Sequence, residues 1–148
     1  EIKMFSNFDI SASGLTAQRL RMDIISGNIA NVNTTRTEDG TPYRRKTPVF
    51  KEKTDSFGNT FSGLLAGSTN SHQGVEVDQI KEDNSPFKKV YRPEHPDADD
   101  NGYVAMPNVN ITTEMVDMIE ASRAYEANVR ALNTSKSMAM KALKIGQG

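Results

Sequence analysis

Asp97, Asp99, Asn101 and Gly102 stand in the D-x-D-x-N-G order that opens a calcium-binding loop. Completing such a loop requires a bidentate carboxylate six residues after the glycine, and that position holds Asn108. The approach to Asp97 contains Pro93 and Pro96, which an entering helix would not tolerate. The segment therefore reads as an Asx-rich turn, with a calcium-responsive module as the alternative. The two histidines, His72 and His95, both sit in polar stretches, and neither has a partner at metal-ligand spacing. The absence of cysteine removes disulfides, thiolate ligands and thiol nucleophiles together. There is no G-x-S-x-G elbow, phosphate-cradling glycine loop or H-E-x-x-H helix. The expectation is a protein with no catalytic residues, no metal and no other cofactor.

Arg44-Arg45-Lys46 is a short basic run beside Tyr43. In a chain of 148 residues with a formal net charge of -1, it reads as a solvated strand face. A nucleic-acid partner would call for a surplus of Lys and Arg. No stretch approaches the roughly 20 apolar residues of a membrane span, so direct membrane insertion is not expected. No basic segment followed by an apolar run opens the sequence, which argues against a Sec-type signal. Three Asn-x-Ser/Thr triplets, at Asn33, Asn110 and Asn133, are unremarkable in so Asn- and Thr-rich a chain.

Long helices at the two ends dominate the pattern. From about Met4 to Val32, Phe8, Leu15, Met22 and Ile29 recur every seven residues, with Ile25 and Val32 widening the stripe. That is one face of a helix, at coiled-coil spacing. Ser11, Ser13 and Gly14 weaken its early turns. From Asn110 to Ile145, Ile111, Met118, Tyr125, Leu132 and Ala139 form one seven-residue row, and Met115, Val129 and Leu143 a second. Asn110 is suited to the N-cap, Glu114 and Asp117 to the positive end, Lys141 and Lys144 to the carbonyl end, and Gly146 to the stop.

Between them the chain leans to β structure. Tyr43–Phe50 reads as an edge strand because of Pro48. Val75, Val77 and Ile80 alternate with polar residues, as in a half-exposed strand. Phe87–Tyr91 is expected to pair with that strand across Asn84-Ser85-Pro86, and Gly102–Met106 is a further short strand. Thr54–Asn70 reads as a long loop. The fold class is thus α+β: terminal helices pairing as a coiled-coil arm, around a small β-rich unit. The expected boundaries are 4–33, 34–107 and 108–146. Ile10, Leu20 and Ile24 on the first helix, and Val116, Ile119 and Met138 on the second, fall off the seams. Uncovered apolar faces of that kind mark assembly interfaces.

The ends also carry recognisable signatures. Phe8-Asp9-Ile10-Ser11-Ala12-Ser13-Gly14-Leu15-Thr16-Ala17-Gln18, leading through Arg21 to Ser26-Gly27-Asn28-Ile29-Ala30-Asn31, resembles the N-terminal signature of flagellar axial proteins. Gly40-Thr41-Pro42-Tyr43-Arg44, Ala98-Asp99, Gly102-Tyr103-Val104 and Met106-Pro107-Asn108-Val109 resemble the proximal-rod branch of that family. So do Glu114-Met115-Val116, Ala121 through Asn128, and Leu132-Asn133-Thr134.

The resemblance implies a structural subunit of the basal-body rod in the periplasmic space, exported by the flagellar type III apparatus. Its implied partners are further copies of itself, other rod proteins, and membrane-ring and export-gate components at the rod base. Another rod or hook subunit of the axial family is the alternative. Helix packing would carry the assembly, and the residues expected at its interface are Phe8, Leu15, Met22, Ile25, Ile29, Met115, Met118, Tyr125, Val129 and Leu132. Terminal helices of this kind are expected to gain order when a partner supplies the rest of their core.

Overall fold

The computed structural model describes residues 2–53 and 74–146. The expected loop at Thr54–Asn70 and His72 lie outside them. In chain order the described elements are α1 (Ile2–Ala30), β1 (Lys46–Glu52), β2 (Val75–Glu82), β3 (Lys88–Tyr91), β4 (Tyr103–Met106) and α2 (Ile111–Ile145). This is the expected α+β class. Ser13 and Gly14 do not interrupt α1: the Ser13 hydroxyl is satisfied by the Ile10 carbonyl at 2.7 Å, and Gly14 packs against the Asn128 side chain. At the other end, the Asn31 side-chain amide donates to the Gly27 carbonyl at 2.9 Å, satisfying one of the helix's last acceptors.

The start of α2 follows from its cap. Asn110 Oδ1 accepts the amides of Thr112 at 3.0 Å and Thr113 at 3.4 Å, as an N-cap side chain does. Gly146 closes the helix with its amide on the Ala142 carbonyl at 3.1 Å.

The strands form two separate pairs, β1 with β2 and β3 with β4. The Lys53 amide meets the Gly74 carbonyl at one end of the first pair, and the Asp83 amide meets the Arg45 carbonyl at the other, so β1 and β2 are antiparallel. Pro48 is accommodated because both strands of a two-stranded sheet are edges. β3 and β4 are antiparallel, with Val90 opposite Val104 and Tyr91 opposite Tyr103.

The expected pairing of Phe87–Tyr91 with the Val75 strand is therefore corrected. Ser85 folds back on the Asp83 carboxylate, through its amide at 2.8 Å and its hydroxyl at 2.5 Å. The Asn108 amide then takes the carbonyls of Asp83 and Ser85 at 2.9 and 3.3 Å. The backbone groups that a tight hairpin would use are committed elsewhere.

The described residues group into two compact units. One draws on Leu20–Val49 and Gln79–Ala121, the other on described residues within Glu1–Arg19, Phe50–Asp78 and Ser122–Gly148.

Candidate assembly site

In the first of these units, the most buried side chains include a carboxylate and an amide. Glu114 is 0% exposed and Asn28 1%. A buried polar group must find partners or cost several kcal/mol, roughly, and these two find them all. Asn28 Nδ2 donates to Glu114 Oε2 at 2.9 Å and to the Lys46 carbonyl at 2.8 Å. Asn28 Oδ1 accepts the Lys46 amide at 2.9 Å and the Tyr43 hydroxyl at 3.0 Å. The carboxamide thus takes both backbone groups of Lys46, as a neighbouring strand's peptide would, and uses its full bonding capacity.

Glu114 Oε1 accepts the Arg45 guanidinium at 2.5 Å. The same guanidinium reaches Asp117 at 3.0 Å, and Asp117 also meets Arg21 at 3.4 Å. Asn108 completes the set, its Oδ1 accepting the Arg45 amide at 2.8 Å. The end of α1, the entry to β1 and the first turns of α2 are thereby held in one register. In this unit α1 and α2 run antiparallel, since Asn28 meets Glu114 while Arg21 meets Asp117 and Glu120. Sliding α2 by a residue would strip Glu114 of both donors, Arg45 and Asn28, and an uncompensated buried charge costs about 3–5 kcal/mol. Burial, and then the nearby Glu114 and Glu82 carboxylates, hold the Tyr43 phenol above its ordinary pKa of 10.0.

In the second unit the helices approach through small residues. A side chain on Gly14 would begin 3.0 Å from the Asn128 amide, so glycine permits that spacing. Gly74, at φ +103, sits with its Cα against Ser13. Ser13 Oγ accepts the Val75 amide at 3.1 Å, which fastens the start of β2 to α1.

The ten residues expected at the interface are distributed unevenly. Ile25 is buried at 4% exposure. Phe8, Leu15, Met22, Ile29, Met118, Tyr125, Val129 and Leu132 are half-buried. Met115 is 57% exposed. The row on α2 that does turn inward beside Met118, Tyr125 and Leu132 is Glu114, Ala121, Asn128 and Ser135, at the same seven-residue spacing. Because that row is small and polar, apolar periodicity passes over it.

Large apolar side chains stand exposed at both ends of α2. Among the described residues, eight of the eleven exposed large hydrophobic side chains lie on this helix, in two groups: Ile111, Met115, Val116 and Ile119, then Met138, Met140, Leu143 and Ile145. The off-seam residues of α1, Ile10, Leu20 and Ile24, are half-buried instead. No described helix is long and apolar enough to cross a membrane.

The calcium-like segment folds as a turn. Asp99 Oδ1 accepts the amides of Asn101 and Tyr103 at 2.9 and 2.8 Å. Asp97 accepts the Thr35 hydroxyl at 2.8 Å, and Gly102 takes φ +78. Among the described residues, no three His, Cys, Asp or Glu side chains gather as a metal would require.

Comparison with known proteins agrees with this layout. Residues 100–145 match the family described as flagellar basal body rod FlgEFG protein C-terminal, and residues 8–36 match flagella basal body rod protein. Flagellar basal-body rod protein FlgC of Bacillus subtilis is 48% identical over 97% of this chain and 98% of its own length. The Borreliella burgdorferi protein of the same name is 50% identical over 98% and 99%, and that of Escherichia coli O6:H1 is 44% identical over 95% and 96%. The Asn28 clamp draws its helical residues from both matched segments. With relatives this similar along nearly the whole of its length, the chain belongs to the FlgC family of flagellar basal-body rod proteins.

Proposed function

We propose that the chain is a structural subunit of the flagellar basal-body rod, joining its neighbours by burying helical faces. The observation that carries this is the apolar surface at the two ends of α2, where eight large apolar side chains lie 46–82% exposed. Such surface is costly in water, at about 25 cal/mol per Å² of apolar area, and it gains most when another helix covers it. The relatives' names supply the setting, a flagellar basal body.

The finer proposal is a proximal-rod subunit in the periplasmic space, exported by the type III apparatus. Its neighbours are further copies, other rod proteins, and ring and export-gate components at the base. Phe8, Leu15, Met22, Ile25 and Ile29 on α1, with Met115, Met118, Tyr125, Val129 and Leu132 on α2, are the side chains proposed to carry the packing. Half-buried residues on the seam both join α1 to α2 and present an edge to a neighbour. The rod is then a stiff tube that transmits torque through packed helices. The protein's part is mechanical rather than catalytic.

The test is a strain whose sole copy carries Leu132→Asp, examined for swimming and for rods in isolated basal bodies. Loss of both is expected. Normal swimming with intact rods would overturn the packing mechanism.

A further inference from the structure

Two exposed patches of the chain are complementary in charge, and both are apolar at their centres. The first is the last turns of α2. Met138, Met140, Leu143 and Ile145 are 65%, 54%, 63% and 82% exposed, interleaved with Lys136, Lys141 and Lys144. No acidic residue follows Glu126 in this helix. A cation in the final turn complements the helix dipole, but the dipole accounts neither for Lys136, well before that turn, nor for four bare apolar side chains.

The second patch is the loop joining β3 to β4. Tyr91 and Tyr103 meet edge to face at 5.3 Å, yet stay 62% and 44% exposed. Beside them lies a hollow of about 450 Å³ lined by Arg92, Pro93, Glu94, His95 and Pro96, of a size that receives small apolar groups. Residues 91–103 hold Glu94, Asp97, Asp99 and Asp100 against Arg92 alone. Asp97 is taken by Thr35 and the Arg36 guanidinium, from the segment after α1, and Asp99 by amides of its own loop. Among the described residues, Glu94 and Asp100 have no ion-pair partner, and neither do Lys136, Lys141 and Lys144.

We propose that the basic, apolar end of α2 in one copy seats on the Tyr91–Tyr103 loop of a second copy. Met and Leu side chains enter the proline-lined hollow, and lysines pair with Glu94 and Asp100. This rests on the assembly function proposed above and names one of its contacts. Rigid Tyr and Pro surfaces bind with little ordering cost, and opposite charge steers the approach. Donor and acceptor patches differ, so the contact is heterologous: a joined pair keeps one free patch of each kind, one on each copy, and the contact propagates.

The cysteine-free sequence makes cross-linking clean. Two differently tagged chains are co-expressed, one carrying Leu143→Cys and the other Asp100→Cys, and basal bodies are isolated under mild oxidation. A disulfide joining the two tags is expected only when both substitutions are present. Separately, Lys141→Glu with Lys144→Glu is expected to abolish swimming, and adding Glu94→Lys with Asp100→Lys to the same chain to restore it. Assembled rods that yield no cross-link, or a fourfold variant as immotile as the twofold one, overturn this contact while leaving rod assembly intact as a function. If instead the twofold variant loses adsorption to phosphatidylglycerol vesicles that the parent chain binds, and no cross-link forms, the basic face serves a lipid surface and the contact is refuted. Absence of rods in the wild-type preparation's Leu132→Asp counterpart keeps the two questions separate.

Discussion

Asn28 and Glu114 stand 86 residues apart in sequence and share a 2.9 Å hydrogen bond, at a point where neither side chain is more than 1% exposed. One lies in the last turn of α1, the other in the first turn of α2. The family signature at each end of the chain thus contributes one half of a single bond.

Glu114→Ala removes the acceptor of both Asn28 and Arg45 and leaves a part-buried guanidinium short of its closest partner. A loss of about 3–5 kcal/mol is expected, read as a lower midpoint in urea. Glu114→Gln retains an acceptor for Asn28 and should cost less than the alanine variant. Equal midpoints for the two variants would show that Arg45 and Asn28 do not depend on this side chain.

Asn28→Asp keeps shape but sets a second carboxylate against Glu114. Like charges at hydrogen-bond distance cannot both ionise cheaply. The variant should therefore be less stable than Asn28→Ala at pH 7. Its deficit relative to wild type should shrink toward acid pH, as one carboxyl of the introduced pair takes up a proton and the repulsion is relieved. Parallel urea titrations of the three proteins at several pH values check this.

Tyr43 predicts an alkaline limit. Its phenol binds its proton more tightly folded than unfolded, so its contribution is fully present below pH 10.0 and is lost as pH rises through the raised native value. Tyr43→Phe should be less stable at neutral pH by about 1 kcal/mol, for one lost hydrogen bond. Its stability should then fall less steeply than wild type above pH 10.0. Denaturation followed by far-ultraviolet circular dichroism separates the two slopes.

Gly74→Ala places a methyl against Ser13 Oγ in a backbone conformation, φ +103, that side chains rarely adopt. The expected cost is about 1–3 kcal/mol. Adding Ser13→Gly should recover the steric part and leave the conformational part. Hydrogen exchange at the Val75 amide, which bonds Ser13, should quicken in Gly74→Ala before the rest of the protein is affected.

Much of this arrangement is legible in the sequence, and what is not has a physical reason. Asn110 announces the start of α2 because capping is a local act, completed within three residues. The row through Met118, Tyr125 and Leu132 is visible because it is apolar. Its companion through Glu114, Ala121, Asn128 and Ser135 is hidden, since small and charged residues at helical spacing look like solvent. Glu114 reads as a partner for the helix dipole, and only the fold reveals Arg45 and Asn28 around it. Strand partners are hard to read for a similar reason. Nothing local to Phe87–Tyr91 says that Asn108 will claim the carbonyls of Asp83 and Ser85 and leave β3 to β4.

The use of the Asn28 carboxamide as a surrogate strand for Lys46 has a consequence for the order of events at the ribosome. Residues 28 and 46 emerge early, but the carboxylate that completes their site belongs to residue 114. Until that part of the chain has been synthesised, Arg45 has no buried acid to meet and the register of the first helix stays open. Closing so wide a loop is slow compared with forming local turns. The nascent polypeptide therefore cannot complete this unit before the first turn of its final helix has been made.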